Sequence, residues 1–465
     1  MAGWPILTLI ACSAVAHASP RTDPTTGRAV FTGATVPHAT SISLNPSALG
    51  LGTINEVYLG VMAVVDQIGI DRQALAPDGT TSAGPSIDDT LLAPGGMIAI
   101  IYHPGERATI GAELRTTPSE RFLDNPGVRY HALGGGQRDL FISIGSSIKA
   151  TTGLYFGASI SHNNTSLRLR YARDTALERG VDGDCDGEPC GFENPAASEV
   201  YDFDLDSKTI STSNLRINVG VMARLYRGVW IGIAYHTPPG FAIQSQLDGP
   251  VTVTKAPRDG GQTLEGGGTA YIHFPASVDV EVRARLIGNL ELHVGGRWED
   301  LSRMQAYDVR AYASSFRAEG VPEWTLRPRG FEDSFALWGG LEQRDLGQRF
   351  QLGGRLGVET SATDTARTSP TTIAPLSFTA DVGAQLRVTP SLIVQLSYGL
   401  QFFPRVTVDD SAFDPRDQIA CINSGYDYST AACEAVREGY AIPTAAGDYS
   451  RIQHAFRLGL RYELP

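Results

Sequence analysis

The residues best placed to do chemistry lie in one acidic loop. Asp182, Asp184, Asp186, Gly187 and Glu193 fit D-x-D-x-D-G-x5-E. Side-chain oxygens at alternate positions, a glycine for the turn and a late bidentate carboxylate suit a hard cation such as Ca2+. Two readings stand for 182–193: a calcium site, or a solvated acidic loop stapled by Cys185 and Cys190. Nothing else in the chain calls for a cofactor. Cys185 with Cys190, and Cys421 with Cys433, form an even, short-range set. In an exported chain such a set favours disulfides that fasten local loops, with free loop thiols as the alternative. There is no Gly-x-Ser-x-Gly elbow, no His-Glu-x-x-His and no Cys-x-x-Cys pair, and the nine histidines are scattered. The chain does not read as an enzyme.

The elements that must carry these loops are strands. Leu376, Phe378, Ala380, Val382, Ala384, Leu386 and Val388 alternate with Ser377, Thr379, Asp381, Gly383, Gln385 and Arg387. The same period recurs in 272–285 and 450–464, always with one apolar face and one charged or small face. Alternation of period two puts these sets on opposite sides of a strand. Burying the charged face in a dry core would cost several kcal/mol per unpaired group, on the order of 2–7. A wet lumen with lipid outside avoids that cost. Only 19% of residues are charged, yet no internal run approaches the roughly 18–20 apolar residues of a membrane-spanning helix. A closed barrel is the other structure that satisfies its backbone in lipid. A soluble sandwich or propeller would need neither strands this long nor loops this unequal. The fold class is therefore all-β: a transmembrane antiparallel β-barrel of about fourteen strands.

Strands are predicted over 56–66, 95–103, 108–117, 137–148, 154–174, 213–226, 229–247, 269–286, 290–313, 332–343, 349–361, 376–388, 392–408 and 450–464. Short turns follow even strands and long loops follow odd ones, the asymmetry of outer-membrane barrels. Residues 67–94 read as a loop. The alternation changes phase between Ile160 and Leu167, which predicts a bulge near Asn163-Asn164. Residues 1–18 read as a signal peptide ending Ala16-His17-Ala18, which places the chain outside the cytoplasm. Leu9-Ile10-Ala11-Cys12 keeps a lipoprotein leader open as the alternative. A net charge of −12 argues against nucleic acid as a partner.

Between leader and barrel lies a small, polar segment, 19–54, containing Asn45-Pro46-Ser47-Ala48. This resembles the Asn-Pro-Ala signature of the FadL-type (OMPP1/FadL/TodX) transporters of long-chain fatty acids and hydrocarbons. Ile272-His273-Phe274-Pro275-Ala276-Ser277 and Arg329-Gly330-Phe331-Glu332-Asp333-Ser334-Phe335 are similar to two further segments of that family. The resemblance implies a monomeric outer-membrane barrel, 55–465, with 19–54 folded inside as a plug. Its partners would be a hydrophobic small molecule, such as a fatty acid, and the outer-membrane lipids. It implies a lateral opening beside a kinked third strand, for which Thr116-Thr117-Pro118 is the candidate. Pro118 equally fits the simple end of that strand. For a substrate carboxylate the candidates are Arg216, Arg283, Arg355, Arg387, Arg457 and Arg461, each of which could instead belong to a structural ion network across the lumen. A barrel whose loops bind an external partner is the alternative function.

Overall fold

In the computed structural model of the protein, the residues described are 29–75, 81–118, 120–175, 195–207, 214–242, 244–346 and 349–464. They form one antiparallel sheet that closes on itself. The strands are β1 Glu56–Leu75, β2 Thr81–Gly105, β3 Ala108–Thr116, β4 Glu120–Arg121, β5 Gly135–Thr151, β6 Leu154–Asp174 and β7 Ser198–Ser207. After them come β8 Leu215–Tyr226, β9 Val229–His236, β10 Ser245–Thr254, β11 Thr263–Ile272, β12 Ser277–Arg285, β13 Leu290–Glu299 and β14 Ala306–Tyr312. The last six are β15 Trp324–Pro328, β16 Ser334–Leu346, β17 Phe350–Glu359, β18 Ser377–Thr389, β19 Leu392–Val408 and β20 Gly447–Glu463. Six consecutive pairs (β3/β4, β7/β8, β9/β10, β11/β12, β13/β14 and β15/β16) each make one wall strand in two pieces. The wall thus has fourteen strands. Closure is made by β20, which pairs with β1 from Glu56↔Glu463 to Arg72↔Gly447.

The pieces mark two storeys of opposite polarity. Near the short turns, inward residues of β12 are Asp279, Glu281 and Arg283, all buried, while Val280 points out. Outward Ile144, Leu337 and Leu356 are 60–70% exposed, the surface a barrel turns to lipid. Toward the long loops the pattern inverts. Leu167, Tyr171, Phe203, Val251, Leu264 and Val309 bury inward as one apolar cluster. Asp202 and Arg168, or Asp308 and Arg310, pair on the outside. Alternation is the same in both storeys; only the medium outside changes, from lipid to water.

That inversion corrects two expectations. No bulge occurs near Asn163-Asn164: β6 keeps one register against β5 from Gly135↔Leu169 to Lys149↔Tyr155. Odd residues face inward throughout, and the inward set changes from Ser159, Ser161 and Asn163 to Leu167, Leu169 and Tyr171. Residues 67–94 are largely not a loop, because β1 and β2 continue as a paired hairpin from Glu56↔Ile101 to Leu75↔Thr81. There Ile68, Ile70, Ile87 and Leu91 bury inward. The acidic residues that suggested a loop belong to a water-facing outer side. The breaks were also unforeseen as a set. Pro118, Pro238-Pro239 and Pro275 withdraw backbone donors at one level of the wall.

Between β19 and β20, helices Arg416–Asn423 and Ala431–Arg437 form a hairpin joined by the Cys421–Cys433 disulfide, Cα–Cα 4.7 Å. Phe413, Tyr440 and Ala445 root it in a small core. His131, from the segment before β5, bonds through Nε2 to the Pro443 carbonyl at 3.0 Å. Burial, with Arg72 and Arg327 nearby, holds that imidazole well below its ordinary pKa, so it stays neutral and donates. Replacing both cysteines by serine should remove about 3 kcal/mol of local stability. Limited proteolysis within 409–446 should then quicken, while the heat-modifiable mobility of the barrel stays unchanged.

Candidate functional site

Residues 29–51 lie inside the wall. Ser41–Leu44 makes one helical turn and Pro46–Leu51 a 3-10 helix, with Pro46 at its first position, where no N–H is needed. Asn45 is the pivot. Its Nδ2 donates to the Ala34 carbonyl at 2.6 Å, and its Oδ1 accepts from Ser47 N at 3.2 Å and Ser47 Oγ at 2.6 Å. Pro46, Ser47 and Ala48 are buried with it. The wall makes room through glycine: a Cβ at Gly157 would overlap the Ser47 backbone, and one at Gly220 would overlap the Asn45 amide. Ser147 Oγ donates to the Ser47 carbonyl at 3.0 Å, and Ser43 Oγ donates to Glu113.

Beside this segment is a lumenal cavity of about 120 Å³. Leu44, Pro118, Phe141, Phe274 and Pro275 give it an apolar side, and Arg115, Arg216 and Arg297 with Glu120, Asp139 and Glu299 a charged one. At Thr116–Thr117–Pro118 the ladder of the wall is interrupted. β2 pairs with β3 from Gly105↔Ala108 only as far as Gly96↔Thr116. Beyond that, Thr81–Gly95 keeps β1 as its ladder partner and has none on the other side among the described residues. The chain after Thr116 turns toward β5 instead: Thr117 N donates to the Asp139 carbonyl at 3.3 Å, and β4 pairs Glu120 with Gln137. Proline at 118 cannot donate to a ladder. Gly95 and Gly96 leave no side chains across the gap, and a Cβ at Gly95 would stand 3.1 Å from Pro118 Cδ.

The six candidate arginines separate cleanly. Arg283 pairs with Glu291 at 3.6 Å, Arg355 with Glu342 at 2.7 Å and Arg387 with Glu463 at 2.7 Å. Arg457 pairs with Asp381 at 2.5 Å and Arg461 with Glu56 at 2.5 Å. Arg216 makes no hydrogen bond or ion pair with any described residue, and its Nε is buried. Its cationic cavity neighbours have carboxylate partners: Arg297 holds Glu299 at 2.8 Å and Asp279 at 3.2 Å, and Arg115 lies 3.7 Å from Glu113. Asp139 accepts from Thr165, Gln137 and Asn163, and Glu120 from Arg329. An acid group would find unused N–H donors at Arg216. The proposed calcium residues Asp182, Asp184, Asp186 and Glu193, and the pair Cys185 and Cys190, lie outside the described residues.

A larger cavity, about 660 Å³, sits among the long loops. Tyr130, Tyr171, Trp324, Leu326, Tyr428 and Ile442 line it, with Arg173, Arg327 and Arg437 at the edges. Arg327 lies 3.9 Å over the Tyr171 ring. One wall is the disulfide-stapled hairpin. The parts of this groove come from four segments far apart in sequence, so no single stretch announces it. Glu281 and Glu342 accept bonds from the 29–36 segment, a contact between distant parts of the chain that no local pattern announces.

The architecture defines a class: a closed fourteen-stranded barrel with residues 29–51 of its own chain folded into the lumen and an interrupted ladder between β2 and β3. No protein-family model and no curated protein sequence matches the chain. Among solved structures it is similar to a Pseudomonas aeruginosa FadL homologue, at TM-score 0.74 and 15% identity, over 95% of this chain and 98% of that one. It is similar to the toluene transporter TodX of P. putida, at TM-score 0.61 and 12% identity, over 95% and 99%. The toluene transporter TbuX of Ralstonia pickettii gives TM-score 0.59 and 16% identity, over 95% and 96%. The fold is the FadL-type outer-membrane barrel.

Proposed function

We propose that this protein takes hydrophobic small molecules inward across the outer membrane. The interrupted seam between β2 and β3, with a cavity directly behind it, carries this reading. An apolar molecule gathered in the loop groove would reach the lumenal cavity beside residues 29–51. It would then leave sideways between Gly95-Gly96 and Pro118 into lipid, where it is most soluble. The N-terminal segment, 19–54, acts as the plug that denies an axial path. A general porin would need that path open.

Arg216 favours long-chain fatty acids as the substrates. A guanidinium with no bonded partner among the described residues, next to the apolar side of the cavity, matches one carboxylate on one hydrocarbon chain. Uptake of labelled palmitate and of hexadecane, by cells lacking their own uptake system, tests both levels of the proposal. Palmitate uptake by Arg216→Gln should fall about tenfold, as expected for loss of a charge-assisted contact. Hexadecane uptake should hold, and Arg216→Lys should recover part of the acid flux. Equal palmitate uptake by wild type and Arg216→Gln would remove the acid-anchor role. Absence of any uptake of either compound by the wild type would remove the transport reading itself.

A further inference from the structure

The short turns of the wall carry a charge pattern opposite to that of the whole chain. Net charge is −12, yet Arg107, Lys149, Arg224, Arg227 and Arg349 gather at this one rim. None of the five pairs with a carboxylate among the described residues. Arg285 and Arg344 beside them share Glu291, at 3.8 and 2.9 Å. The turns follow one another around the barrel, since β3 pairs with β5, β6 with β8, β9 with β12 and β13 with β16. Each is tied to the next through the backbone. Lys149 N donates to the Arg107 carbonyl at 2.9 Å and Arg224 N to that of Gly153 at 2.7 Å. Arg285 N donates to the Gly228 carbonyl at 2.8 Å and Arg344 N to that of Asn289 at 3.0 Å. The cations therefore form a fixed arc.

The arc stands at the edge of the lipid-facing band. Ile148 is the last outward apolar residue of β5, and Lys149 follows it. Phe350 is the first of β17, and Arg349 precedes it; Arg227 lies two residues beyond outward Leu225. At about 3.3 Å per residue these cations lie within about 7 Å of the hydrocarbon edge. Headgroup phosphates occupy that depth. Apolar tips accompany the charges: Tyr226 is 76% exposed and Ile287 91%, on adjacent turns. Left in water, such tips are an unfavourable surface. A leaflet covers them, taking tyrosine and aliphatic groups at its interface and guanidinium groups among its phosphates. Arginines inside the wall such as Arg355 and Arg457 find carboxylates of the same chain. For the rim cations the counter-charge comes from outside the protein.

We infer that this arc is a binding surface for anionic phospholipids of the periplasmic leaflet, whose phosphates meet Arg107, Lys149, Arg227 and Arg349. The inference is independent of the uptake reading, because the lipid binds at the outer edge of the wall and not in the lumen. Native mass spectrometry of the full barrel, released from vesicles of equal phosphatidylglycerol and phosphatidylethanolamine, reads the bound lipid directly. A cation near a membrane surface is worth about fivefold in attraction to anionic lipid. Phosphatidylglycerol should therefore exceed phosphatidylethanolamine on the wild type by at least that factor. The triple variant Arg107→Gln, Arg227→Gln and Arg349→Gln should bring the ratio to about one. Its heat-modifiable folded band should be unchanged, since none of the three side chains bonds to a described residue. Arg168→Gln with Arg310→Gln, on the outer face of the upper storey, should keep the wild-type ratio. Equal retention of the two lipids by the wild type would overturn the inference. So would an enrichment that survives in the triple variant, or one that is lost in the upper-storey pair instead.

Discussion

Joining Gly95→Cys to Pro118→Cys by a disulfide should reduce uptake of hydrophobic substrate to the level of cells without the protein, and reductant should restore it. The seam is where the wall gives way. Most of the wall strands find ladder partners on both sides, and breaking such pairing beside lipid leaves backbone groups unsatisfied at several kcal/mol each, roughly 1–3 by mutational measures. Above Gly96, β2 already lacks its partner toward β3. Prolines 85 and 94 of β2 and Pro118 suit an edge that carries fewer ladder donors. A molecule in the lumenal cavity meets no ladder in that direction. The positions also suit the bridge: a Cβ at 95 lies 3.0–3.1 Å from the Pro118 ring atoms. A separation of about 3.5–4.5 Å between bridged Cβ atoms is then within small adjustment. The reduced double variant is the internal control for any strain at Gly95. Uptake by the oxidised protein at the wild-type rate would rule out the seam as the exit.

Much of this architecture was legible because a barrel repeats one simple rule. The last strand, with Phe456, Leu458 and Tyr462 outward and Arg457 and Arg461 inward, pairs residue for residue with β1. Short turns after even strands fixed which end is which. What misled was the assumption that one polarity holds along a whole strand. On β6 the inward set passes from serine and asparagine to leucine and tyrosine with no change of register, and a sequence reading takes that for a slip. On β1 and β2 the same inversion made Asp71, Asp88 and Asp89 look like loop residues. The site was legible in its motif and not in its pairing. Asn45 announced itself. Arg216 stood among six equivalent arginines, and only the fold shows that Arg457 finds Asp381, or Arg461 finds Glu56, hundreds of residues apart in one case, while Arg216 bonds to none of the described residues.

Two arginine substitutions on β6, seven residues apart and on opposite faces, should fail in opposite ways. Ile160 is 47% exposed on the outer wall, directly across from Ile144. Ile160→Arg places a charge in lipid near mid-height, at a cost of about 2–4 kcal/mol for a barrel. The whole molecule should assemble poorly, with loss of the heat-modifiable folded band. Leu167 is fully buried in the apolar cluster of the upper storey. Leu167→Arg puts an unpaired guanidinium into that dry core, a penalty of several kcal/mol, on the order of 3–5. This larger local cost should spare the lower storey, whose ladder and ion pairs lie elsewhere, so the barrel should still form while the extracellular strands become protease-sensitive. Arg168 and Arg170, outward on the same strand, lie 2.9 and 4.0 Å from Asp202 on the outer face of the upper storey. Equal loss of assembly in the two variants would mean that the storeys fold as one cooperative unit. Separate failures would locate the lipid boundary on β6 between residues 160 and 168.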